Sequence, residues 1–178
     1  MFSVVTVINV KNSIEFVRKW GYNFRVLESK EDIMAFIDWD ESFVVGVPEV
    51  DEQHKHLIFI VNHFLETVSN SNMNKSGEDL YRIIDSTLSE LIDYTIYHFS
   101  TEEKLLSLYG YPDLAEHRAE HRSLINKAFN LSERLKESHT SVSAEDLAGL
   151  LDKWLVSHIR NSDGKYAKYF SANHVEVA

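Results

Sequence analysis

The sequence predicts an all-α fold: an up-down-up-down four-helix bundle preceded by a short N-terminal extension of mixed α/β character. Four segments between residues 51 and 163 carry apolar residues at steps of three and four, the period of a helix that buries one face. Only two prolines and six glycines interrupt 178 residues, which leaves room for long unbroken helices. The connections between the four segments are short, as antiparallel neighbours require.

Composition narrows the chemistry before any motif is read. A chain of 178 residues that is 44% hydrophobic fits one domain with a modest extension. There is no cysteine, which excludes disulfides, iron–sulfur clusters, thiolate zinc sites and cysteine nucleophiles. Any metal must therefore be held by His, Asp and Glu. The net charge of −10 argues against nucleic acid as a partner. No apolar run approaches the ~20 residues of a membrane span, and the start lacks the basic region and apolar core of a signal peptide. No membrane association and a cytoplasmic location are expected.

Residues 1–38 differ from the rest. They hold five basic and five acidic residues, so the excess negative charge belongs to 39–178. Val4–Val10 is β-branched and predicts a strand, Ser13–Trp20 a helix ending at Gly21, Phe24–Leu27 a second strand and Glu31–Ile37 a short helix. Half a sheet has unpaired edges, so this extension is expected to pack on the main domain or on another subunit. The main domain is expected over 39–172. It opens with an extended arm, Trp39–Pro48, carrying aromatic anchors.

The first helix opens at Asp51 and places His54 on a stripe with Leu57, Ile58, Val61, Phe64 and Leu65; His56 and His63 lie off it. Ser76 with Asp79 resembles a capping box for the second helix. That helix carries Leu80, Ile84, Thr87, Leu91, Tyr94 or Thr95, His98 and Glu102 on one face. Glu103 points about a quarter-turn away and is expected to be solvated. Gly110-Tyr111-Pro112 breaks the chain, with Pro112 suited to the first turn of the third helix. The third stripe is Leu114, His117, His121, Leu124, Ala128, Leu131 and Leu135, with Glu116, Arg118, Glu120 and Arg122 outside. Ser143 with Asp146 is a second cap-like pair. The fourth helix runs Leu147, Leu150, Leu151, Trp154, Leu155, His158, and then reaches Asp163. Five residues turn an ideal α-helix through about 140°, so Asp163 joins His158 only if the helix loosens or bulges there.

Every helix thus brings an ionisable residue onto its core face: His54, then His98 and Glu102, then His117 and His121, then His158 and Asp163. One histidine on such a stripe is more often a hydrogen-bonded core residue than a ligand. Seven polar residues converging without partners would destabilise the core badly. Two cations bridged by the two carboxylates would satisfy them together, and nitrogen with carboxylate donors suits iron or zinc better than calcium or magnesium.

The stretches WDESFVVGVPEVDEQHKHL, HFSTEEKLL, YGYPDLAEHRAEH and WLVSHIRNSD resemble the hemerythrin family, of the bacterial single-domain kind. The resemblance spans most of 39–163 and fills all seven ligand positions. It implies two iron ions per chain. His117, His121 and His158 would bind one. His54 and His98 would bind the other, leaving a position for dioxygen, and Glu102 and Asp163 would bridge the pair together with an oxo or hydroxo group. Leu155, three residues before His158, would wall the oxygen pocket, with Trp154 and Phe99 packed nearby. The function implied is reversible dioxygen binding by a carrier, store or delivery protein. Two alternatives stay open: a di-iron peroxidase or oxidase, and an oxygen or redox sensor acting through residues 1–38 on a partner protein or in a homo-oligomer. A ferritin-like oxidase would use more carboxylates, with Glu-x-x-His on two helices.

Overall fold

The computed structural model describes residues 24–28, 33–71, 77–138, 147, 150–151, 157–175 and 177. The strand expected at Val4–Val10, the helix expected at Ser13–Trp20, the cap residues Ser76, Ser143 and Asp146, and the pocket residues Trp154 and Leu155 lie outside them.

The described part of the extension is an antiparallel hairpin of β1 (Phe24–Glu28) and β2 (Ile33–Ile37), with Phe24 opposite Ile37. Ile33–Ile37, the described part of the helix expected at Glu31–Ile37, is instead a strand. A segment that short cannot sustain a helix by itself, and pairing with β1 satisfies its backbone instead. The end of β2 is fastened to the first bundle helix by the Asn62 amide. Ile37 N–H donates to Asn62 Oδ1 at 2.8 Å, and Asn62 Nδ2 donates to the Ile37 carbonyl at 3.0 Å.

A short 3₁₀ turn, Glu41–Phe43, follows, capped by Asp40, which accepts from Ser42 N–H at 2.8 Å. Helix α1 spans Pro48–Ser71, three residues earlier than the start expected at Asp51. Pro48 takes the first helical position, where its missing N–H is no loss. Asp51 faces back instead, and its carboxylate accepts from Val45 N–H at 2.8 Å and Gly46 N–H at 3.2 Å. Helix α2 spans Gly77–Leu108 and α3 spans Leu114–Glu137. Between them Gly110 adopts a left-handed φ of 66°. Tyr111 N–H reaches the Leu106 carbonyl at 2.9 Å and Gly110 N–H the Ser107 carbonyl at 3.4 Å, the paired bonds that end a helix at glycine. Pro112 lies in this turn, just ahead of α3.

The fourth helix is helical at Leu147, Leu150, Leu151 and Ser157. It continues as a π-helix over His158–Asp163 and closes as α4, Gly164–Ala172. No helix among the described residues is long and apolar enough to cross a membrane.

Two apolar clusters form the core of this four-helix bundle. The larger includes Phe43, Leu57, Ile84, Leu91, Phe99, Leu124, Leu147 and Ile159. The smaller includes Val45, Val50, Leu106, Tyr111, Tyr166 and Phe170. Along α1, His54 falls between Val50 of one and Leu57 of the other; on α2, Glu102 falls between Phe99 and Leu106. His117 and His121 on α3 fall between Tyr111, in the turn before that helix, and Leu124, and the fourth helix places Asp163 between Ile159 and Tyr166. The polar residues are thus a layer across the bundle, closed at both ends by apolar packing.

Candidate metal centre

All seven residues of the polar layer are buried, none more than 5% exposed. They form two overlapping sets, each able to hold a cation: Glu102, His117, His121, His158 and Asp163, and His54, His98, Glu102 and Asp163. Within each set one donor atom from every residue lies within 4.8 Å of the others. Glu102 and Asp163 belong to both.

Helical spacing delivers most of this. His98 and Glu102, like His117 and His121, are i,i+4 pairs on one helix face. The fourth helix needs the π-turn, in which Gly164 N–H reaches five residues back to the Ile159 carbonyl. That wider turn absorbs the five-residue offset, leaving His158 Nε2 at 3.2 Å from Asp163 Oδ1. The loosening on which a shared site for His158 and Asp163 depends is present.

Three of the outer ring nitrogens, those of His54, His98 and His121, have partners, which turns the inner ones toward the centre. His54 Nδ1 lies 3.3 Å from the Phe43 carbonyl, His98 Nδ1 3.0 Å from Gln53 Oε1, and His121 Nδ1 2.9 Å from Glu103 Oε1. A ring that donates from Nδ1 presents a lone pair at Nε2. His117 Nε2 and His121 Nε2 stand 3.2 and 3.1 Å from Glu102 Oε2, and His121 Nε2 is 3.0 Å from His158 Nε2. Asp163 Oδ2 is 3.4 Å from His54 Nε2. The opposite oxygen of Glu102 accepts from the fully buried Tyr166 hydroxyl.

The carboxylates favour positive charge in the layer and burial opposes it. Burial pulls the His98 imidazole down to about 4 against the pull of Glu102, and it lowers His158 as well. At His54 and His117 burial also works downward, but Asp163 and Glu102 respectively outweigh it and hold both rings above the ordinary histidine range. Burial would raise the Glu102 carboxyl, yet its contacts with His117 and His121 keep it well below the usual range. Burial and the nearby carboxylates push the Tyr166 phenol far up, so it remains a proton donor to Glu102.

The donor set fits a pair of metal ions. His54 Nε2 and both oxygens of Asp163 are buried with no hydrogen-bond partner, an arrangement costing roughly 1–3 kcal/mol per atom unless something else satisfies it. His121 Nε2 and His158 Nε2 face each other at 3.0 Å, a distance that needs a proton or a cation between the two nitrogens. Five imidazoles and two carboxylates, without thiolate, match iron better than calcium or magnesium.

Three supporting residues were not legible as such. Glu103, expected in solvent, is only 26% exposed and sits between His121 and Arg118. Gln53 is a quarter-turn from His54 and reaches across to His98. Tyr166 follows Asp163 at helical spacing, and that signal could have found it. Phe99, expected near an oxygen pocket, lies flat on His121 with ring centroids 3.6 Å apart and also meets His98 and His158 at 5.5 Å. His56 and His63 are exposed and face Tyr94 and Phe59 instead of the layer.

Residues 45–170 match the family described as the hemerythrin HHE cation binding domain. The chain is 29% identical over 140 residues to a bacteriohemerythrin of Stenotrophomonas maltophilia, covering 79% of this chain and 85% of that one. It is 31% identical over 140 residues to a bacteriohemerythrin of Methylococcus capsulatus, covering 78% of this chain and 100% of the relative. A hemerythrin-like protein of Naegleria gruberi is 33% identical over 129 residues, 72% of this chain and 89% of its own. A crystal structure of a leucine-to-alanine mutant of hemerythrin superposes with a TM-score of 0.63 at 28% identity, covering 76% of this chain and 97% of that one. With a match that encloses the whole buried layer, and a bundle shared with a solved hemerythrin, the chain belongs to the hemerythrin family.

Proposed function

We propose that this protein binds dioxygen reversibly at a pair of iron ions, as a carrier, store or delivery protein and not as an enzyme. One observation carries the reading: the two sets share both carboxylates but differ in histidines, three in one and two in the other. The reading assigns His117, His121 and His158 to one iron, His54 and His98 to the second, and Glu102 and Asp163 to both. Bound there, two ferrous ions would supply the electrons and, on the two-histidine side, the coordination position that dioxygen takes up.

The chain supplies everything else. The Phe43 carbonyl and Gln53 fix the two rings of the open side. Tyr166 holds Glu102 in place, and the apolar clusters above and below exclude water, without which bound oxygen would be lost irreversibly. The preponderance of histidine speaks against a ferritin-like oxidase, whose sites are richer in carboxylate.

The test is to reduce iron-loaded protein without oxygen, admit oxygen and withdraw it, following visible absorption. Two irons per chain and a band that rises and disappears again are expected. Direct passage to a stable ferric form would overturn the carrier reading and leave a peroxidase or oxidase, or a sensor, in its place.

A sensor reading has its own support in the arm between extension and centre. Ile37 is clamped to α1, Trp39 stacks on Phe43 at 5.8 Å, and the Phe43 carbonyl meets His54. Arg160 of the π-turn covers the Phe43 ring at 4.6 Å and pairs with Asp40 at 3.2 Å. We place the extension at 1–38 and the bundle at 39–172. A chain beginning at Trp39 is then expected to fold and hold two irons. It loses the two Asn62 hydrogen bonds, about 1–3 kcal/mol together, so its melting point should fall by a few degrees. Insoluble or iron-free protein would show that the boundary is misplaced. A changed oxidation rate or oligomeric state would favour the sensor, with a partner or second copy engaged through 1–38.

A further inference from the structure

The histidines of the two sets rest on chemically different supports. On the two-histidine side the outer nitrogens meet neutral oxygens, the Phe43 carbonyl at 3.3 Å and the Gln53 amide at 3.0 Å. On the three-histidine side His121 Nδ1 meets a carboxylate, Glu103 Oε1, at 2.9 Å. Glu120 stands 3.6 Å from His158 Nδ1, beyond hydrogen-bond reach, and accepts from the Ser162 hydroxyl. Among the described residues, Glu103 is therefore the one carboxylate within hydrogen-bond distance of a site histidine's Nδ1. It is held there from the other side by Arg118 Nε, 3.0 Å from Oε2.

We propose that Glu103 is a positioning residue that lowers the reduction potential of the three-histidine iron through His121. The inference rests on the iron reading given above. A carboxylate accepting from Nδ1–H draws the proton toward itself and leaves the ring more electron-rich, a stronger donor that favours the ferric ion. Carbonyl and amide acceptors do this less, because charge-assisted hydrogen bonds are roughly twice as strong as neutral ones. The two iron positions are thereby made unequal. With two irons bound, the three-histidine position would be the harder to reduce, and the His54 and His98 position the easier. Arg118 offsets part of the Glu103 charge and so moderates the effect.

The experiment uses the iron-loaded full chain, equilibrated without oxygen against redox dyes of known potential. Glu103→Gln keeps an oxygen acceptor for His121 and removes the charge. Glu116→Gln makes the same charge change at an exposed position beside His117. The expected result is two irons in both variants and an upward shift of the potential in Glu103→Gln clearly larger than in Glu116→Gln. Arg118→Gln should shift the potential the opposite way, and by more than the exposed Arg122→Gln. Equal shifts in the two glutamate variants, or loss of iron from Glu103→Gln, would overturn the proposal. Wild-type protein that takes up no iron would overturn the iron reading itself, and iron analysis separates that failure from the first.

Discussion

Replacing Glu102 with alanine is expected to remove both irons and to lower the melting point by roughly 10 °C or more. Glu102 is one of two residues common to both sets. Its Oε2 faces His117 and His121, and its Oε1 accepts from Tyr166. Alanine leaves those buried groups without their partner, and breaking a buried charged pair from one side costs about 3–5 kcal/mol. At about 2–4 °C per kcal/mol for a chain of this size, that is the predicted fall. His54→Ala provides the contrast, since His54 belongs to one set only. It should leave close to one iron per chain, held by the three histidines on the other side. Iron analysis beside calorimetry checks both. A Glu102→Ala protein with full iron and normal melting would show that the carboxylate bridges nothing.

The contrast between these variants follows from what the sequence displays well. A helix repeats its face every three or four residues, so His54, His98, Glu102, His117, His121 and His158 stood out as polar residues on apolar stripes. Asp163 was off by about 140° on an ideal helix, and only the demand for a second bridging carboxylate argued for a π-turn. The backbone supplies that turn at His158–Asp163. Residues one step off a stripe were harder to read. Glu103 and Gln53 point toward neighbouring helices, and whether such a residue meets water or another helix depends on how the helices pack. No periodicity within one helix encodes that. The Ile33–Ile37 strand is hard to read for a related reason: five residues carry too little local preference, and pairing with β1 decides their conformation. The sites reached by long-range contacts are the ones a linear reading loses.

Phe99 shows how closely the apolar core and the metal layer depend on one another, and Phe99→Ala is expected to cost about 3–5 kcal/mol. The ring is 2% exposed and belongs to the larger apolar cluster. It lies within 4° of parallel to His121 and meets His158 at 62°. Alanine removes the flat surface that fixes His121 against Glu103 and opens a void beside the three-histidine set. The melting point should fall by about 10 °C on the same conversion, whereas Phe99→Leu refills most of the volume and should cost under about 1.5 kcal/mol. Phe99 is not a ligand, so both variants should still bind two irons. Water admitted to the void would reach the layer, so irreversible oxidation after oxygen is supplied should be faster in Phe99→Ala than in Phe99→Leu. Paired calorimetry and stopped-flow absorption test this directly. If Phe99→Ala melts within about 2 °C of the wild type, the ring is not a wall of the site. If it melts lower but oxidises no faster, Phe99 serves the fold alone and the water barrier lies elsewhere around the layer.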